Sequence, residues 1–163
     1  MRVKDCMRIG LGFDVHNTKS GRPLVIGGVI VPCEFGLDGD SDADVLCHSV
    51  IDAVLGALNL GDIGSYFGVG TPDVMGVESL SLLARLTPLI GENRMTVSNL
   101  DCTIIAQYPK LSDKREQMRA NIARVLQTPQ NRISLKFTTP KGLGPLGNKE
   151  GIACLSAILL EEK

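Results

Sequence analysis

Asp40-Ser41-Asp42-Ala43-Asp44-Val45-Leu46-Cys47-His48 opens on alternating acids and a serine, then passes straight into apolar residues. From there Val45, Leu46, Val50, Ile51, Val54, Leu55 and Leu58 recur at helical period, so the stretch predicts an amphipathic helix. Ser41 or Asp42 offers a side-chain oxygen to cap it, and Asp44 in the first turn suits the positive end of the helix dipole. On that helix His48 stacks with Asp44 and Asp52 at spacings of four, which makes one polar stripe. The apolar stripe needs a second layer to bury against, and the chain supplies strands on both sides of it.

Upstream, Arg8 to Asp14 reads as a short strand whose glycines, Gly10 and Gly12, mark a close approach of backbone or ligand. If it runs on through Val15-His16, side chains alternate faces and Asp14 and His16 point the same way. Leu24 to Val31 is β-branched, bent by Gly27-Gly28 and stopped by Pro32, as in a hairpin-like pair. Downstream, Leu60 to Gly64 is a glycine-rich turn and Gly68 to Gly76 a loop. Glu78 to about Gly91 predicts a second helix that Pro88 kinks or ends early.

Leu100, Cys102, Ile104 and Ala106 alternate with Asp101, Thr103 and Ile105 in a strand over Thr96–Gln107. Ser112 caps a third helix through Met118, Ile122, Val125 and Leu126. Ile133, Leu135 and Phe137 form another strand, Thr138 to Gly147 a loop rich in Gly and Pro, and Gly151 to Leu160 the last strand. Strands interleaved with three helices predict a two-layer α/β (α+β) domain, one mixed sheet covered by helices on one face. A single domain over residues 1–163 is expected, residues 1–6 forming a short extension ahead of a second start at Met7.

Net charge is −1 and the isoelectric point about 6.1, which gives no electrostatic case for nucleic acid or an anionic membrane surface. Trp is absent and aromatics are 4%, so base-stacking platforms are not expected either. Cys6, Cys33, Cys47, Cys102 and Cys154 are scattered and never form C-x-x-C, which predicts reduced thiols and a cytoplasmic location. No signal peptide is visible, and no stretch approaches the roughly 20 apolar residues of a membrane span.

The chemistry concentrates on the only two histidines, His16 and His48. One carboxylate, Asp14, with these two imidazoles makes a three-ligand set of the kind catalytic zinc uses, the fourth position being left for substrate. The competing reading makes each histidine an ordinary surface or satisfied core residue. Cys47 adjoins His48, but successive helical residues point about 100° apart, which argues against it as a ligand.

Phe13-Asp14-Val15-His16, Ser41 to His48, Gly61-Asp62-Ile63-Gly64, Ala106-Gln107-Tyr108-Pro109-Lys110 and Glu150 to Cys154 together resemble the 2-C-methyl-D-erythritol 2,4-cyclodiphosphate synthase family. The resemblance runs from about Met7 to the C-terminus. It implies conversion of 4-diphosphocytidyl-2-C-methyl-D-erythritol 2-phosphate to the cyclic diphosphate with release of CMP, in non-mevalonate isoprenoid synthesis. It also implies a homotrimer with active sites at subunit interfaces. The family's zinc ligands match Asp14, His16 and His48. Its substrate contacts match Asp14, Val15, His16, Ser41 and the turn Asp62, Ile63 and Gly64, with Phe67, Gly68, Val69, Gly70 and Thr71 as a loop around the substrate. The cytidine pocket, supplied by the neighbouring subunit, matches Ala106, Gln107, Tyr108, Pro109, Lys110, Leu111 and Ser112. Thr138 and Thr139 match phosphate-contacting threonines, Thr139 as the transition-state stabiliser, and Pro140 continues that segment.

Three positions depart from the family pattern. Asp40 stands for a histidine that orients phosphate and metal, and is carried over as a catalytic and substrate-binding candidate. Lys141 stands for a glutamate that holds a second divalent cation, magnesium or manganese. Asn148 stands for an arginine lining the trimer's central cavity. Zinc therefore carries over and the second cation does not follow from the resemblance. Two rival readings keep the fold: a zinc phosphohydrolase in which water attacks, and a catalytically silent trimer that binds nucleotide or isoprenoid phosphates.

Overall fold

Close backbone approach sets the architecture. In the computed structural model, which describes residues 6–163, strand β1 (Met7–Ser20) lies directly under helix α1 (Val45–Leu58). A Cβ at Gly10 would fall on the carbonyl of Ala53, and one at Gly12 on the carbonyl of Ser49. The two glycines expected to admit backbone or ligand thus admit the helix backbone. Two residues further along the same face come Asp14 and then His16. The expected extension falls outside the described residues except for Cys6.

The chain continues through β2 (Leu24–Ile26), β3 (Val29–Val31) and β4 (Phe35–Leu37) to α1, then α2 (Ile63–Phe67), α3 (Ser79–Glu92) and β5 (Met95–Ile105). A 3₁₀ turn (Ser112–Lys114) leads into α4 (Arg115–Val125), followed by β6 (Ile133–Thr138), α5 (Gly144–Gly147) and β7 (Gly151–Glu162). Five strands form one mixed sheet in the order β4-β1-β7-β5-β6, in which only β5 and β6 run parallel, while β2 and β3 pair as a separate ribbon. Helices cover one face. On it Leu46, Val50, Ile51, Val54 and Leu55 of α1 pack with Leu82, Leu83 and Leu86 of α3, Met118 and Ile122 of α4, and Leu100, Ile104 and Ile158 of the sheet. No helix among the described residues is long and apolar enough to cross a membrane.

Several boundaries differ from the sequence expectation. Strand β1 runs on to Ser20, because β7 pairs with it from Met7↔Glu161 to Asn17↔Gly151 and β4 takes over beyond. Helix α3 passes through Pro88 to Glu92, one lost hydrogen bond being offset by burial of Leu83, Leu86 and Ile90. Ser112 does not cap α4: its hydroxyl donates to Asp113, and the helix begins at Arg115 after the 3₁₀ turn. Short α2 and α5 occupy stretches read as turn and loop.

The cap of α1 is Asp44, not Ser41 or Asp42. Its carboxylate accepts from the amides of Leu46 and Cys47, each at 3.1 Å, and of Gly28 at 2.8 Å, tying the β2–β3 turn to the helix start. Asp44 is therefore fully buried and turned inward, leaving the polar stripe it was expected to share with His48. Asp44→Ala removes the cap, worth about 0.5–2 kcal/mol, and strands buried donors at about 1–3 kcal/mol each. A loss of about 3–5 kcal/mol is expected, equivalent to roughly 10 °C in thermal unfolding followed by circular dichroism. A shift of less than about 2 °C would show the cap to be dispensable.

Candidate active site

Asp14 and His16 descend from β1 onto the helical face and meet His48 from the first turns of α1. Asp14 Oδ2 lies 3.2 Å from His16 Nε2 and 3.2 Å from His48 Nδ1, and the two ring nitrogens are 3.2 Å apart. Three ligands at about 2.0–2.1 Å from a tetrahedral ion sit about 3.3 Å from one another, so the triangle fits such an ion. His16 Nδ1–H donates to the carbonyl of Asp38, which leaves Nε2 as a lone pair facing the other two donors. His48 Nε2 lies 2.8 Å from Ser79 Oγ and 3.1 Å from Ser41 Oγ. Among the described residues these three form the group whose ligand atoms converge, all within 4.8 Å. Cys47 is excluded: its buried thiol donates to Asp44, away from the triad.

Charge in the triad is set by competition. Burial works to raise the Asp14 pKa, but hydrogen bonds and charge from His16 and His48 outweigh it and bring it down to about 2. Burial works to lower that of His16, while the hydrogen bond and charge of Asp14 and the Asp38 carbonyl lift it above the ordinary imidazole value. The triad thus holds a firm carboxylate against an imidazole inclined to keep a proton, and a divalent cation bound by these three donors would take the place of that proton.

The triad opens into a cavity of about 230 Å³ lined also by Asp40, Ser41, Ile63, Gly64, Gly68 and Val69. Asp40 Oδ2 accepts from the amide of Gly70 at 2.9 Å and its carbonyl from Gly76 at 2.8 Å, holding the loop after α2 against the site. Asp62 spends its carboxylate on a capping box with Ser65, at 2.7 Å, so it shapes the turn that presents Ile63 and Gly64. Arg85 sits 6.0 Å over the Phe67 ring, and Thr71 Oγ1 donates to the Phe67 carbonyl, which closes that loop on itself. Val15 falls on the other face of the sheet by strand alternation, so only its backbone borders the triad.

A second cavity, of about 540 Å³, gathers Ala106, Gln107, Tyr108, Pro109, Lys110, Leu111 and Ser112 with Ile104, Phe137, Thr138, Thr139 and Lys141. The parallel pairing of β5 and β6 brings these distant stretches together, and the Ala106 amide donates to the Thr138 carbonyl at 3.0 Å. Gln107 Oε1 accepts from Gly142 at 3.1 Å, linking the two loops. Tyr108 stands at the rim, its hydroxyl 3.3 Å from Glu34 and its ring 5.3 Å from Lys149 Nζ. Pro140 and Asn148 line neither cavity: the Pro140 carbonyl accepts from Leu143, and Asn148 ends α5 and donates to Glu150.

The two cavities do not meet within the chain. Asp14, Cys154 and Ile104 share one level across the sheet, and Ile104 already lines the second cavity, so the triad and the near wall of that cavity are two strand spacings apart, about 10 Å. Cys154, which fills the interval, is fully buried. Sequence reading missed the Asp38 carbonyl, Ser79 and the role of Asp42; Asp42 lies inside the decisive motif, whereas nothing local marks Ser79.

A two-layer α/β protein with three converging donors arranged to hold a metal ion is the class this arrangement defines. Residues 7–161 match the YgbB family, and the chain belongs to that family. The 2-C-methyl-D-erythritol 2,4-cyclodiphosphate synthase of Synechococcus elongatus is 46% identical over 153 residues, covering 94% of this chain and 96% of that protein. The enzyme of the same description from Bacillus licheniformis is 48% identical over 155 residues, covering 95% and 98%. Among solved structures, the bifunctional IspDF from Campylobacter jejuni superposes with a TM-score of 0.94 at 39% identity, over 98% of this chain and 43% of that one. IspF of Plasmodium falciparum, solved as a CDP complex, gives 0.86 at 35% identity over 99% of both chains.

Proposed function

We infer that the chain is a cyclodiphosphate synthase of the non-mevalonate isoprenoid pathway, a lyase acting on 4-diphosphocytidyl-2-C-methyl-D-erythritol 2-phosphate. The 2-phosphate oxygen attacks the β-phosphorus, the bond between that phosphorus and the bridging oxygen breaks, and CMP leaves with the oxygen. The observation that carries the reading is the 3.2 Å triangle of donors, set in a chain nearly half identical to synthases along almost its whole length. Asp14, His16 and His48 would hold zinc, which when bound would supply Lewis-acid stabilisation of phosphate charge. Thr139, with Thr138, donates hydroxyl hydrogen bonds to phosphate oxygens, and these strengthen as charge moves onto CMP. Backbone groups of Ala106 to Ser112 read the cytosine edge, in keeping with the CDP bound by the Plasmodium relative. Five free thiols suit a cytoplasmic enzyme.

The separation of metal and nucleotide cavities supports a homotrimer in which one subunit's triad faces its neighbour's pocket. The uncovered face of the sheet supports the same assembly. There Ile9, Leu11, Phe13 and Val15 are 70%, 67%, 55% and 49% exposed, an apolar row that favours a partner surface over water. Incubating purified protein with the substrate and following CMP and cyclic product tests the function. Linear product would indicate the hydrolase instead, and no product the silent binder.

Lys141 replaces the second cation in this reading. It lines the nucleotide cavity beside Thr138 and Thr139, carrying its ammonium among the phosphate-binding groups. A lysine ammonium has three donors and no acceptor lone pair, so it does not ligate magnesium. Asp40, the other departure, has one carboxylate oxygen engaged with Gly70, which disfavours it as a relocated magnesium ligand. Zinc-supported turnover is expected to change less than about twofold on adding magnesium, while Lys141→Glu becomes magnesium-dependent by about tenfold or more. Strong magnesium stimulation of the unmodified protein, abolished by Asp40→Ala, would place the second cation at Asp40.

A further inference from the structure

Ser79, the first residue of α3, is completely buried and lies behind His48, on the side away from Asp14 and His16. Its hydroxyl is in short contact with Asp42 Oδ1, and its backbone amide lies 3.2 Å and 3.1 Å from the two oxygens of the same carboxylate. An ionised carboxylate only accepts hydrogen bonds, so the Ser79 hydroxyl proton is committed to Asp42. The Ser79 oxygen is thereby left as an acceptor, and His48 Nε2, 2.8 Å away, is the donor that satisfies it. Ser41 completes the arrangement. Its oxygen accepts from the Ala43 amide at 3.1 Å and lies 3.2 Å from Ser79 Oγ, within reach to donate its own proton there.

A proton on Nε2 of a neutral imidazole leaves Nδ1 bare, and Nδ1 is the atom 3.2 Å from both Asp14 Oδ2 and His16 Nε2. We propose that Asp42 and Ser79 are positioning residues that hold His48 in its Nε2–H tautomer and so present Nδ1 as a lone pair to the metal. The Asp38 carbonyl does the same for His16 from the backbone. Outer partners of this kind fix ring orientation and tautomer for metal-bound histidines generally. The proposal deepens the metal-centre reading and rests on it. It also separates two duties of Ser79: the amide ties α3 to Asp42, whereas the hydroxyl alone reaches His48.

The full chain, stripped of metal and given zinc alone, provides the test. In ¹⁵N spectra of the zinc-loaded unmodified protein, His48 is expected to carry its proton on Nε2 and to bind the metal through Nδ1. A proton on Nδ1 with the metal on Nε2 overturns the proposal without any variant. Ser79→Ala keeps the amide bond to Asp42 and loses only the hydroxyl. Its zinc dissociation constant, from chelator competition, is expected to be about 10- to 100-fold weaker than that of the unmodified chain. A merely structural serine would lower thermal stability and leave both the tautomer and zinc affinity unmoved. Zinc binding by Ser79→Ala within roughly twofold of the unmodified protein overturns the relay. Failure of the unmodified protein to bind zinc overturns the metal centre itself, which keeps the two failures apart.

Discussion

His48→Ala is expected to yield a folded protein that retains no zinc and releases no CMP above background. Removing Nδ1 leaves two donors, Asp14 and His16, and a two-donor site cannot hold an ion against free chelator. Loss of an outer partner alone costs about 10- to 100-fold in metal affinity, and loss of a ligand exceeds that. CMP release should fall about a thousandfold or more, since both charge stabilisation and phosphate placement go with the metal. Folding should persist, because the flanking positions of α1, among them Leu46, Val50, Ile51 and Leu55, carry the packing. A thermal shift separates the two effects. Free zinc at 100 times its dissociation constant stabilises a binding protein by about 2.7 kcal/mol, and the variant should show none of this. Full zinc occupancy in His48→Ala, by elemental analysis of the dialysed protein, would sink the ligand assignment.

The triad was legible in the sequence because its geometry is local. Period two in β1 puts Asp14 and His16 on one face, and a polar start to an apolar helix puts His48 beside the cap. Its supports were not legible. Ser79 is 31 residues from His48, and the Asp38 carbonyl 22 residues from His16, so chain topology alone brings them together. The cap of α1 shows the same limit. Ser41, Asp42 and Asp44 all have capping chemistry, and the choice falls to Asp44 because the Gly28 amide, distant in sequence, needs an acceptor there. Gly10 and Gly12 correctly signalled a close approach, but only the fold shows that it is the α1 backbone that approaches. The nucleotide cavity depends on register: parallel pairing of Ile105 with Thr138 places the two threonines against the segment that begins at Ala106.

Mixed trimers built from two inactive proteins are expected to regain activity. His48→Ala damages the metal half-site and leaves the nucleotide pocket intact; Thr139→Ala removes a hydroxyl from the pocket side and leaves the triad intact. Alone, the second variant should lose about 10²- to 10³-fold, as removal of one transition-state donor does elsewhere. The halves are about 10 Å apart in one chain and divided by buried Cys154, so in the proposed trimer each working site would take its halves from two neighbours. In a closed ring with head-to-tail interfaces, random mixing in equal amounts pairs an intact triad with an intact pocket at about one site in four. Co-unfolding and refolding, or co-expression with two different affinity tags, should therefore restore about a quarter of the unmodified turnover to the whole mixture, and about a third to isolated hybrids, each of which has one intact site of three. Tandem purification isolates the hybrids, and native mass spectrometry verifies their composition before CMP release is measured. Trimers that contain both chains yet stay as inactive as the parents would mean that each chain builds its own site, and the interfacial assembly would have to be abandoned.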